Sequence, residues 1–158
     1  MTSDVQGGPG WVIRGEDLRP SITDPAMFRR SHAEDELVDV LELLWSGRPA
    51  EALQHLSSFP ETVRVRALTA DCHRDLGRHD RALDSYDALV AETMGTPREA
   101  MMRQHRGKTL LAAGHPERAV EDFRRAAQLR AGGDPALLAS TQQALEVAEA
   151  AVMRRQQG

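Results

Sequence analysis

An all-α fold of antiparallel helical hairpins stacked on one another is predicted by three features of this chain. Three short stretches are versions of one another: Gly47-Arg48-Pro49-Ala50-Glu51-Ala52-Leu53, Gly77-Arg78-His79-Asp80-Arg81-Ala82-Leu83 and Gly114-His115-Pro116-Glu117-Arg118-Ala119-Val120. Each lies between two apolar helical stretches, and a recurring unit of this size buries its apolar face by stacking on copies of itself. Ala, Leu and Arg carry much of the composition while aromatics make up 4%, which favours close-packed helices over a β-sandwich rich in Val, Ile, Thr and Tyr. Finally, Pro and Gly punctuate the chain where helices should begin and end.

Along the 158 residues, residues 1–22 differ from the rest. Gln6-Gly7-Gly8-Pro9-Gly10 has the composition of a flexible linker, Trp11-Val12-Ile13 forms an apolar island, and no helical period is visible. One helical domain is expected over 24–156. Pro25, Pro49, Pro60, Pro97, Pro116 and Pro135 sit where a first-turn proline is tolerated. Asp24 and Asp134 precede two of them and can accept bonds from first-turn N–H groups. Thr96-Pro97-Arg98-Glu99 fits a capping box, as does Ser31 to Glu34. Gly47, Gly77, Gly114 and Gly132-Gly133 fall at helix ends. The expected helices are 32–46, 49–57, 61–76, 79–92, 97–113, 116–130 and 135–155, with a short turn at 25–30. The two- or three-residue joins within pairs imply antiparallel αα-hairpins.

In this arrangement the chain resembles the tetratricopeptide repeat (TPR) family, whose units of about 34 residues are helix–turn–helix pairs. The third copy matches best, with Gly107 as the small residue of the first helix, Gly114 as the turn, then Ala119, Phe123 and Ala126. The second has Ala70, Gly77, Ala82 and Tyr86, with Leu89 departing. In the first, with Val40, Gly47, Ala52, Leu56 and Phe59, two positions agree. Ala52 to Ala82 is 30 residues and Ala82 to Ala119 is 37, so the array is irregular. The resemblance implies a right-handed superhelix, a TPR-like α-solenoid, with repeats at about 33–59, 61–94 and 97–131 and a capping helix at 135–155.

Chemistry is sparse. Arg106-Gly107-Lys108-Thr109 contains the GKT of a phosphate loop, but Met102 stands where that motif needs Gly and no strand precedes it. Asp71-Cys72-His73-Arg74-Asp75 concentrates ligand-type residues without a metal-site spacing; Asp71, Arg74 and Asp75 read as solvated charges, with His73 and His79 replacing packing aromatics. No nucleophile–base set is suggested by His32, His55, His73, His79, His105 and His115. The expectation is therefore a non-enzyme with no metal and no cofactor. Net charge is −4, which gives no bulk attraction to nucleic acid or anionic membrane. Nineteen of the twenty basic residues are Arg, Lys108 being the exception; base composition explains this, and bidentate carboxylate forks are the functional alternative. Cys72 stands alone, so no intramolecular disulfide forms. With no charged start followed by an apolar run, and no apolar stretch of membrane-spanning length, a reducing cytoplasm is the expected compartment.

The resemblance implies a concave groove lined by first helices and a protein or peptide segment as partner. Carried over, the groove offers Leu37, Leu41, Leu44 and Trp45 in copy one, Arg64, Ala67, Asp71, Arg74 and Asp75 in copy two, and Met101, Gln104, Lys108 and Leu111 in copy three. Leu37 and Leu41 stand where the family's carboxylate clamp would need polar residues, so that clamp is absent. A charged centre between apolar ends suits an amphipathic segment. The first long helix is apolar on several sides and must be covered. Its cover is the chain's own Trp11-Val12-Ile13, a second copy in a homodimer, or an external ligand.

Overall fold

The computed structural model describes residues 2–158. Among these, a small sheet of β1 (Val5–Gly8), β2 (Trp11–Ile13) and β3 (Pro20–Ile22) precedes eight helices. They are α1 (Pro25–Ser31), α2 (Val38–Trp45), α3 (Pro49–Leu56), α4 (Val63–Asp75), α5 (His79–Thr93), α6 (Glu99–Ala112), α7 (Pro116–Arg130) and α8 (Pro135–Gln157).

The caps explain most boundaries. Asp24 accepts from the Met27 N–H at 3.0 Å and Asp134 from the Ala136 N–H at 2.8 Å, as their positions before proline suggest. The expected box at Thr96 is shifted: Glu99 reaches back to the Gly95 N–H at 2.9 Å, and the helix begins at Glu99 itself. The box at Ser31 does not form. The Ser31 hydroxyl donates back to the Phe28 carbonyl at 2.9 Å, ending α1, and the segment before Val38 is a series of turns.

The three repeated glycines end α2, α4 and α6 in one way. Gly77 has φ +78°; its N–H donates to Arg74 O at 2.9 Å and the Arg78 N–H to His73 O at 2.8 Å. Gly47 and Gly114 repeat the pattern, with the Arg48 N–H on Leu43 O at 2.9 Å and the His115 N–H on Leu110 O at 2.8 Å. This pair of bonds satisfies carbonyls that the helix end leaves free, and it needs a left-handed residue.

Helices α2–α3, α4–α5 and α6–α7 are the hairpins, and α8 packs on α7. The first helices also touch across hairpins, α4 with α6 and α6 with α8, so they share a face. Three apolar clusters run along the stack. The first holds Phe28, Val40, Leu41, Leu44, Leu56, Leu68 and Cys72. The middle one holds Ala70, Tyr86, Leu89 and Met102. The last holds Leu18, Leu110, Ala119, Phe123, Ala144 and Ala148. Each ties one hairpin to the next, as stacking requires. Leu129 on α7 and Met153 near the end of α8 stay exposed.

Gly107 shows why a small residue is needed on the first helix of a hairpin. A Cβ there would lie 2.4 Å from the ring of Phe123, which is fully buried. Gly107→Ala gains about 1 kcal/mol of helix propensity but overpacks this contact by about 1–3 kcal/mol. A net loss of stability in urea unfolding is therefore expected, and Phe123→Leu in the same chain should relieve it.

The fold is mostly helical, as expected, but the segment over 1–22 that reads as flexible carries a small sheet. Its strands are antiparallel, with Val5 opposite Ile13 and Ile13 opposite Pro20. The glycines that read as linker serve close approach instead. A Cβ on Gly7 would lie 2.2 Å from the Trp11 ring, so that ring lies flat over bare backbone. Gly10, at φ +81°, turns β1 into β2, and its carbonyl accepts from the Thr23 and Asp24 N–H groups at 2.8 and 3.1 Å. These bonds fasten the sheet to the start of α1.

Candidate functional site

The sheet is held at α2 through β3 and at α8 through β1, and it spans the C-terminal halves of α4 and α6 across a cavity. Trp11 packs on Trp45 with ring centroids 4.5 Å apart and the planes tilted by 35°, and Phe28 meets Trp45 edge-on at 5.7 Å. From α8, Gln143 Nε2 donates to Ile13 O at 2.8 Å and Ser3 O at 3.0 Å. Arg19 approaches Asp75 at 3.7 Å. Leu18, 2% exposed, fills the last cluster.

Between the sheet and the helices lies a cavity of about 420 Å³. Arg14 and Arg19 reach it from the loop between β2 and β3. Asp71, Arg74 and Asp75 reach it from α4, and His105 and Lys108 from α6. Ile22, Leu44, Trp45 and Pro49 form an apolar wall. Arg14 is forked onto Asp17, with Nε 3.0 Å from Oδ1.

Asp71 and Arg74 are buried, at 5% and 7% exposure, which corrects the reading of this cluster as solvated charge. Arg74 donates to Asp71 Oδ1 at 3.0 Å and to Asp75 Oδ1 at 2.9 Å. The Tyr86 hydroxyl donates to Asp71, with Ala67 O 2.9 Å away. Burial pushes the Asp71 carboxyl up, but Arg74, His105 and Tyr86 together hold it below the carboxylate range. Burial alone would lower Arg74; Asp71 and Asp75 more than offset that and raise it. Cys72, fully buried behind this network, has its thiol pushed up to about 12, chiefly by burial. His105 Nδ1 lies 3.3 Å from Asp71 Oδ2, close enough for an ion pair but without hydrogen-bond alignment.

Lys108 differs from its neighbours. Burial, reinforced by Arg74, lowers its ammonium to about 8. Among the described residues it forms no ion pair and no side-chain hydrogen bond, and it lines the cavity.

Of the residues expected along the groove, the cavity brings together Leu44, Trp45, Asp71, Arg74, Asp75 and Lys108. Leu37, Leu41 and Leu44 are 2–4% exposed within the first cluster, and Ala67 is buried in the middle one. Gln104 is buried between α6 and α8, donating to Ser140 Oγ at 3.1 Å and accepting from Thr141 at 2.6 Å. Arg64 is forked onto Asp35 at 2.9 and 2.6 Å, Leu111 is half-buried in the last cluster, and Met101 is 46% exposed. The sequence reading missed Arg14, Arg19, His105 and Tyr86 as site residues. No spacing marks the first three, and Tyr86 sat at a position already explained by packing.

Many arginines engage carboxylates of the chain itself. Arg66 is forked onto Glu92 at 2.6 and 2.8 Å, and Arg106 onto Asp122 at 2.8 Å through both Nε and Nη2. The forks suggested by the Arg-rich composition thus hold the hairpins together.

Comparison with known protein families, with characterised proteins and with solved structures finds no significant match. Among the described residues, no helix is long and apolar enough to cross a membrane.

Proposed function

We propose that this protein is a non-enzymatic binding module of TPR-like helical hairpins, and that it takes an amphipathic segment of a partner protein on the face shared by its first helices. One observation carries this reading: the face is divided. The sheet bridges α2 and α8 over the cavity lined by the C-terminal halves of α4 and α6, while the N-terminal half keeps Met101 and Leu137 exposed, at 46% and 44%. Helices α6 and α8 run parallel, because each is antiparallel to α7. Gln104 meets Ser140 across them, so Met101 and Leu137 lie side by side, one turn earlier on each helix. Exposed Met beside Leu is an adaptable apolar anchor, and the paired Arg64 and Asp35 on the same half supply a polar flank. The alternative of homodimerisation through the α2 face finds little support, because Leu37, Leu41 and Leu44 are buried within the protein's own core.

Selection of peptides from a random library on the full chain tests the reading. The enriched peptides should share paired apolar residues, and Met101→Glu should weaken them at least tenfold while Glu121→Ala, on the outer helix α7, leaves them unchanged. Failure to enrich any sequence, or enrichment insensitive to Met101→Glu, would contradict it.

A further inference from the structure

The cavity beneath the sheet has features that partner binding on the open half of the face does not use. Its wall carries four cationic groups, Arg14, Arg19, Arg74 and Lys108, against two carboxylates, Asp71 and Asp75, in a chain whose net charge is −4. Arg14 is committed to Asp17, and Arg74 to Asp71 and Asp75. Lys108 has no such partner, and Arg19 is held only at 3.7 Å from Asp75. A half-buried ammonium without an ion-pair contact is unfavourable for the fold, since its desolvation is not repaid. Opposite these charges, Ile22, Leu44, Trp45 and Pro49 offer an apolar surface. At about 420 Å³ the space is that of a small-molecule site.

We infer that the cavity between the N-terminal sheet and helices α2, α4 and α6 binds a small organic monoanion, its carboxylate paired with Lys108 and Arg19 and its apolar body against Trp45, Ile22 and Leu44. The four cations stand against three carboxylates, Asp17, Asp71 and Asp75, which leaves one net positive charge and favours one negative charge over two. The apolar wall favours an organic carboxylate over inorganic phosphate. Arg19 comes from the sheet and Lys108 from α6, so an anion held between them fastens the sheet to the helices. Stabilisation by such a ligand follows from mass action on the folded state. The inference is independent of the partner-binding reading and stands if that reading fails.

Calorimetric and thermal-shift titrations of the full chain with benzoate, benzamide and inorganic phosphate at low ionic strength test it. Benzoate should bind saturably in the millimolar range and raise the melting temperature. Its neutral isostere benzamide should bind at least tenfold more weakly, and phosphate should give no saturable response. Lys108→Met, which keeps the length of the side chain, should weaken benzoate at least tenfold, and Arg19→Gln, at an exposed position, should weaken it severalfold. Arg118→Gln, exposed on α7 and away from the cavity, should leave it unchanged. Equal binding of benzoate and benzamide, a saturable response to phosphate alone, or no saturable response to benzoate would each overturn the inference. If Lys108→Met failed to fold, undiminished benzoate binding by Arg19→Gln would overturn it in its place.

Discussion

Trp11→Ala is expected to lower stability by about 3 kcal/mol, the scale of a large aromatic removed from a packed site. The loss should be cooperative with Trp45. Trp11 lies over the bare backbone of Gly7 on one side and meets the Trp45 ring at 4.5 Å on the other. Removing it leaves Trp45 and Ile22 exposed and loosens β2 from the helices. In a double-mutant cycle with Trp45→Ala, the two losses should fall short of adding, because each variant removes the same ring–ring contact. Guanidinium unfolding of the four proteins measures this. A Trp11→Ala loss below about 0.5 kcal/mol, the size of an ordinary surface substitution, would mean that the sheet adds little to the fold.

Arg74→Met is expected to cost about 3–5 kcal/mol at neutral pH, because it leaves Asp71 and Asp75 as uncompensated charge beneath the sheet. The sign of the pH dependence should also change. In the native protein Asp71 is held below its ordinary value of 3.8. Its contribution to stability is therefore complete above about that pH and is lost as the pH falls through the lower folded value. Without Arg74, burial, already the largest single influence, is expected to outweigh His105 and Tyr86 and raise the carboxyl above its unfolded value. The folded variant then binds a proton more tightly than the unfolded chain, so acidification from neutral pH toward 4 should stabilise it relative to wild type. Thermal unfolding across that range reads the difference. Parallel curves for the two proteins would show that Arg74 does not hold Asp71 ionised.

The helical part of this fold was legible because its signals are local. The prolines at the start of α1, α3, α7 and α8, the aspartates before two of them, and the glycines after α2, α4 and α6 each set a backbone geometry within a few residues. The small and aromatic positions at Ala70, Tyr86, Gly107 and Phe123 mark packing and are buried accordingly. The sheet was not legible because its cause is long-range. Gly7, Gly8 and Gly10 look like a linker until the Trp11 ring and the start of α1 lie against them. Strands of three and four residues leave no period to read. The charged cluster at Asp71 to Asp75 failed for the same reason. In sequence it is a polar helical stretch; the sheet above it and Tyr86 behind it are what bury it. Arg14 and Arg19 join Lys108 only because a strand pair brings the loop between them over α4 and α6.

The N-terminal sheet is an integral layer of the domain, joined to α2 through β3 and to α8 through β1. Native-state hydrogen exchange of the full chain tests it most directly. The amides of Val12 and Ile13, in the middle strand, should exchange only with unfolding that also exposes α4 and α6. Exchange of those amides at the rates of an unstructured peptide, with α4 and α6 still protected, would contradict it.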